Sequence, residues 1–266
     1  MAKPFNIVLL APSRYSLITI CVTELLRRSG ANIGGIFVRR LFNSNRFVSE
    51  FRRDGTRLLR KIWKKLILRK TAYTRQHHET IKGFMEKEQI DYSHLGEFKQ
   101  RFDIPVHYCK TLNDTEVVQG LKDTQPDIVV FTGGGLIREA TLNASGHGIL
   151  NCHMGILPRF RGMDVVEWPI LENRLNEIGV TVHFMDKGID TGDILSIHKI
   201  PPTANESVAQ LRERFEPIMC RQLVRTCLDF LNGNLERKPQ APEEGKQYFM
   251  MHPRLLEVAK RSLLSR

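Results

Sequence analysis

Ile7-Val-Leu-Leu10, the segment from Leu17 to Arg28, and Ile33-Gly-Gly-Ile-Phe-Val38 together decide the fold. The first and last are short apolar runs of the kind that fill buried strands. The middle segment carries apolar residues at helical spacing until Ser29-Gly30 stops it. Strand, helix and strand in quick succession form a right-handed crossover between parallel strands. An α/β architecture is therefore expected, with a mostly parallel, doubly wound sheet flanked by helices. The loop after the first strand, Ala11-Pro-Ser-Arg14, lacks a glycine-rich phosphate fingerprint.

Farther along, Ile104-Pro-Val-His-Tyr108, Pro126-Asp-Ile-Val-Val-Phe131, Gly148-Ile-Leu-Asn151, Gly179-Val-Thr-Val-His-Phe-Met185 and Ile194-Leu-Ser-Ile-His-Lys-Ile200 read as further strands. A short helix is expected from Thr115 to Lys122. Phe131 leads into Thr132-Gly133-Gly134-Gly135, where glycine permits a tight turn and close backbone approach. Ligands of open parallel sheets collect at the carboxyl ends of strands. Asn151, His153 and the loop bearing Asp190 are expected at such ends, so three strand ends should converge on one region. Beyond Pro201-Pro202, Ser207 is placed to cap a long helix that runs toward Leu231, stops at Asn232-Gly233 and contains Pro217 as a candidate kink. A polar linker from Glu236 to Gly245 precedes a last amphipathic helix between His252 and Leu264.

At 266 residues the chain is long for one domain and short for two, so one principal domain with an insertion or extension is expected. The 41% hydrophobic and 26% charged residues fit a soluble globular protein, and no apolar run approaches the roughly 18 residues of a membrane span. With no leader-like start, the chain is read as cytoplasmic. Cys21, Cys109, Cys152, Cys220 and Cys227 are scattered through apolar segments without metal-binding spacing, as suits reduced packing residues. The net charge of +11 is localised: twelve Lys/Arg between Arg39 and Lys70 face only Glu50 and Asp54. From about residue 39 to 90 helical spacing replaces strand alternation. There Leu58, Leu59, Ile62, Trp63, Leu66 and Ile67 form one face, with Arg60, Lys61, Lys64 and Lys65 opposite. This basic helical insert has three readings: a solvated helix face, a surface for anionic membrane, or a site for phosphates of substrate or nucleic acid.

The residues at the strand ends suggest acyl transfer. Asn offers an amide donor, His a proton near neutral pH, and Asp a carboxylate that orients the imidazole. An oxyanion forming on carbon needs such donors, and losing one costs about 10²- to 10³-fold in rate. No Ser or Cys is placed by motif as a nucleophile, so direct attack by an amine is the simplest route.

Two long motifs carry a family resemblance. Leu150-Asn-Cys-His-Met-Gly-Ile-Leu-Pro-Arg-Phe-Arg-Gly162 is similar to the Asn-x-His-Pro-Ser-Leu-Leu-Pro signature of 10-formyltetrahydrofolate-dependent formyltransferases. The segment from Gly179 through Gly188-Ile-Asp190-Thr-Gly-Asp193 to Leu195 resembles their second signature. The resemblance implies a Rossmann-like formyltransferase fold for residues 1–205, with the insert at about 39–90, and a helical C-terminal extension, 206–266. It implies Asn151, His153 and Asp190 as catalytic residues, binding the formyl oxygen, moving protons and ordering the imidazole respectively. It also implies 10-formyltetrahydrofolate as formyl donor, no metal, and folate contacts at Gly133, Gly134, Gly135, Leu136, Ile137, Met185 and Ile189.

Two departures narrow the expected acceptor. Met154-Gly155 replaces the usual Pro-Ser, and Ala11-Pro-Ser-Arg14 replaces the Gly-Ser-rich loop that grips substrate phosphate in glycinamide ribonucleotide formyltransferases. The helical reading of the residues after Ile200 differs from the C-terminal barrel of methionyl-tRNA formyltransferases. A primary amine on a small molecule, with a nucleotide-linked amino sugar as first choice, is therefore the expected acceptor. Hydrolysis of the formyl donor, a methionyl-tRNA formyltransferase-like activity, and a non-enzymatic RNA- or membrane-binding role for the scaffold are the alternatives. Asp186 and Asp193 are read as turn formers, His147, His183 and His198 as structural, and Leu211, Phe215, Ile218 and Leu228 as a core stripe. His77-His78 lacks companion metal ligands.

Overall fold

The computed structural model describes residues 4–40 and 80–264. The basic stripe with Trp63, and the pair His77-His78, lie outside the described residues.

Five parallel strands run as predicted: β1 (Asn6–Ala11), β2 (Asn32–Arg39), β3 (Val106–Cys109), β4 (Ile128–Phe131) and β5 (Ile149–His153). The helix α1 (Leu17–Arg28) makes the β1–β2 crossover, with Ser16 capping its first turn by accepting from Thr19 N. Next come α2 (Ile81–Lys87) and α3 (Gly96–Phe102), α4 (Thr115–Thr124) after β3, and α5 (Glu139–Leu142) after β4. β3 starts two residues later than its apolar run. Pro105 has no N–H to enter a ladder, and only its carbonyl pairs, accepting from Ile36 N at 2.8 Å.

The next elements are the short β6 (Phe160–Gly162), α6 (Glu167–Leu171), β7 (Gly179–Phe184) and β8 (Ile194–Lys199). The main sheet has the order β3-β2-β1-β4-β5-β7-β8, and β7 is antiparallel to both β5 and β8. This corrects the expectation of three converging strand ends. The five-residue α6 is too short to carry the chain the length of the sheet, so β7 enters beside the end of β5 and runs back. Its own end, Phe184, lies opposite Leu150, and the following loop doubles back to bring Asp190 to the site.

Alternation along the strands divides the core. Ile7, Leu9, Leu150, Cys152, Val180 and Val182 pack on one side with α1 and α7 (Val208–Leu231). Val8, Leu10, Val129 and Ile149 pack on the other, with Val117 and Leu121 of α4. Ser207 closes a capping box with Gln210 at the start of α7, and Leu211 and Phe215 are fully buried along it.

The tail adds more than a linker and a helix. Lys238 forms an isolated bridge with Ile194, β9 (Lys246–Tyr248) pairs with β6 in a second small sheet, and α8 (Pro253–Leu264) packs on α6. No helix among the described residues is long and apolar enough to cross a membrane.

Candidate active site

Strand period places Asn151 and His153 on one face of β5. The antiparallel register sets His183 directly opposite Asn151 and Thr181 opposite His153. Four polar side chains thus share one patch of sheet. The intervening Cys152 points into the α1–α7 core, and burial pushes its thiol well above the usual range. It supplies no thiolate between the two catalytic candidates.

His183 is 1% exposed. Its Nδ1 lies 2.8 Å from Phe184 O, which can only accept, so Nδ1 carries the hydrogen and Nε2 a lone pair. That lone pair receives Asn151 Nδ2 at 3.2 Å, which fixes the amide orientation and leaves the second N–H of Asn151 without a partner among the described residues. Burial lowers the His183 pKa to about 4, and the His153 imidazole adds to the effect while Asp190 opposes it. The neutral ring is therefore the form that positions Asn151. Reading this histidine as merely structural missed its part in the site. The available signal was a histidine within an apolar strand, two residues from Thr181.

His153 is anchored in the same way through its other nitrogen. Nε2 donates to Phe160 O at 2.8 Å, while Nδ1 faces Asp190 Oδ2 at 3.4 Å. Gly155 makes this possible, since a Cβ there would lie 2.7 Å from both His153 Nε2 and Phe160 O. The departure at Gly155 is thus a steric requirement of this histidine's pose. Met154 contacts Arg212, which forms a two-pronged pair with Glu167 at 2.6 and 2.7 Å.

Asp190 adopts a left-handed backbone, φ 55. Its Oδ2 accepts from Gly162 N at 2.9 Å, and Oδ1 stands 3.6 Å from His183 Nε2. Trio and His183 form one cluster, with His153 and His183 rings edge to face at 6.2 Å. Asp186 behaves as the expected turn former, accepting from Gly188 N and Thr191 Oγ1. Asp193 lies 4.0 Å from Arg237.

The glycine turn after β4 has positive φ throughout: 120 at Gly133, 131 at Gly134 and 104 at Gly135. At Gly134 a Cβ would also strike Leu112 at 2.7 Å. Arg39 donates to Gly134 O at 2.6 Å, and Asn113 ties Leu136 O to Arg138 N. Leu136 is held out 74% exposed at the crest, whereas Ile137 is buried among Leu112, Val117 and Phe131. Ile189 is 39% exposed, and Met185 packs against the same cluster as Ile137. Lys187 reaches Glu139 at 2.7 Å, joining the Asp190 loop to the helix after the glycine turn. The structure therefore gives Leu136 and Ile189 accessible apolar side chains and leaves Ile137 to shape the turn from below. Among the described residues no group of His, Cys, Asp or Glu has metal-binding geometry.

Residues 69–226, more than half of the chain and spanning both motifs, match the family described as formyl transferase. The chain belongs to the formyl transferase family. A methionyl-tRNA formyltransferase from Chromobacterium violaceum is 36% identical over 140 residues, covering 52% of this chain and 44% of the relative. One from Azobacteroides pseudotrichonymphae is 29% identical, covering 69% and 54%. The chain spans about half the length of these curated relatives. Glycinamide ribonucleotide transformylase 1 from Symbiobacterium toebii shares the fold at a TM-score of 0.58 and 18% identity, covering 91% of this chain and 96% of that one.

Proposed function

We propose that this chain transfers a formyl group from 10-formyltetrahydrofolate to a primary amine of a small acceptor, with a nucleotide-linked amino sugar as first candidate. The observation that carries the reading is the close cluster beside the glycine turn, with Asn151 hydrogen-bonded to His183 and the His153 and His183 imidazoles within 3.4 and 3.6 Å of the Asp190 carboxylate. Residues 1–205 form the transferring unit in this reading, with 206–266 as its extension.

The donor fits the residues present. A turn restricted to glycine by its backbone precedes the exposed Leu136, and Ile189 in the Asp190 loop is exposed as well, so both offer apolar contacts to a flat heteroaromatic ring. Folate brings an activated one-carbon group; the chain orients it and manages protons. Gly133, Gly134 and Gly135 provide close backbone approach, with Leu136, Ile189 and the Met185 and Ile137 framework around them. The second N–H of Asn151 stabilises negative charge developing on the formyl oxygen. His153 Nδ1 is the nitrogen available to take and return the amine proton, because Nε2 is committed to Phe160 O. Asp190, whose Oδ2 faces that nitrogen, stabilises the resulting imidazolium.

A second reading, a tRNA-borne amine, is favoured by the 36% identity to a methionyl-tRNA formyltransferase. The test begins with isothermal titration of 5-formyltetrahydrofolate, a stable donor analogue; absence of binding at high micromolar concentration sinks both readings. A panel of nucleotide-linked amino sugars, other small amines and aminoacylated methionyl-tRNA is then incubated with 10-formyltetrahydrofolate, with products read by mass spectrometry. Formylated sugar or another formylated small amine supports the first reading, formylated tRNA the second, and donor loss without a formylated amine makes the chain a hydrolase.

A further inference from the structure

From these contacts we infer that Gln240, in the segment before β9, is a positioning residue for formyl transfer that sets the aim of Asp190 through two donated hydrogen bonds. The inference rests on the proposed function for its reaction, but its geometry stands independently.

Gln240 Nε2 lies 3.1 Å from Asp190 O and 2.5 Å from Gly192 O, while Oε1 lies 3.3 and 3.2 Å from Arg161 Nε and Nη2. Chemistry permits only this amide orientation, since carbonyls accept and a guanidinium donates. Arg161 is 6% exposed and donates further to Ala241 O. The next residue, Gly162, donates its N–H to Asp190 Oδ2. A closed circuit results: β6 holds the Asp190 carboxylate directly, and holds the Asp190 backbone through Arg161 and Gln240.

The circuit acts on a conformation that needs it. A non-glycine residue in the left-handed region is strained and persists where surrounding contacts over-determine it. At Asp190 those contacts are Gly162 N on the side chain and Gln240 on the carbonyl. Rotation of that peptide would swing Oδ2 away from His153 Nδ1. Gln240 lies past the matched span of residues 69–226, in a polar stretch that reads as a linker by composition.

Gln240→Glu separates this role from packing. It keeps the side chain's length and its partnership with Arg161, but turns both donated bonds into oxygen-oxygen repulsions. The variants are compared with the unaltered chain by turnover of 10-formyltetrahydrofolate with the best amine of the panel, by thermal unfolding, and by ring ¹⁵N resonances of His153 at one fixed pH without substrate. We expect kcat to fall about 10- to 100-fold with KM for the donor changed by less than about threefold, the scale of a catalytic group displaced by about an ångström. The His153 resonances move as the carboxylate leaves Nδ1. Gln240→Met, which introduces no charge, carries the same expectation and serves if Gln240→Glu does not fold. Unaltered kcat together with unmoved His153 resonances in a folded variant overturns the inference. Moved resonances in a chain that transfers no formyl group leave the clamp standing and remove the proposed reaction.

Discussion

Replacing His183 with Gln should make the stability of this protein less sensitive to acid, by an amount the burial of one ring sets. In the folded chain the His183 pKa is lowered to about 4 against an ordinary 6.5, mainly by burial and next by the His153 imidazole. The unfolded chain therefore takes up the proton first as pH falls. The neutral ring's contribution is fully present above about 6.5, is lost progressively toward about 4, and is flat below. About 2.5 pH units separate the two values, at about 1.4 kcal/mol each, so the swing is roughly 3 kcal/mol. Gln at this position can still accept from Asn151 Nδ2 but has nothing to titrate. Urea unfolding of both proteins at intervals from pH 7.5 to 4 measures the difference directly, because carboxylates shared by the two largely cancel. The gap between unaltered chain and variant should change by about 2–3 kcal/mol in the variant's favour toward acid. Parallel curves, differing by a constant at every pH, would refute the assignment of a buried neutral imidazole. A companion effect is expected in turnover: a proton on His183 Nε2 makes it a donor facing the Asn151 amide, so activity should fall in acid before the protein unfolds.

Three further outcomes follow from the geometry. Asn151→Ala removes the proposed donor for the formyl oxygen and should lower kcat about 10²- to 10³-fold, with a stability loss of about 1–3 kcal/mol because the buried His183 Nε2 loses its partner, checked by steady-state kinetics and calorimetry. Gly162→Ala places a Cβ 2.2 Å from Tyr248 O at a φ of 96, so the β6–β9 pair must shift. A loss of about 1–3 kcal/mol by chemical denaturation, with reduced turnover because Gly162 N also serves Asp190, is expected. Phe215→Ala empties a fully buried position on α7 and should cost about 3–5 kcal/mol in the same assay, leaving KM for the donor unchanged.

What the sequence disclosed follows the range over which each signal acts. Apolar runs and helical spacing repeat every few residues, so β1, α1, β2 and the capped start of α7 were readable from pattern alone. Asn151, His153 and Asp190 were readable because they lie in long motifs. The direction of β7 was not, since a buried run such as Val180 to Phe184 looks the same in parallel and antiparallel company. His183 resembled core packing, and its use emerges only when the register sets it against Asn151. Gln240 and Arg161 act through side-chain bonds to distant backbone, which leave no periodic trace in a polar segment.

The register of β5 against β7 makes competence depend on two strands at once. A one-residue slip of β7 would send Val182 to the reactive face and drive His183 into the hydrocarbon interior, while Asn151 and His153 stay where β4 holds them. Such a slipped chain keeps Asn151 but loses the ring that orients its amide. Recovered catalysis after dilution from denaturant therefore counts correctly paired molecules, making the reaction a reporter of pairing fidelity for the strands that flank it.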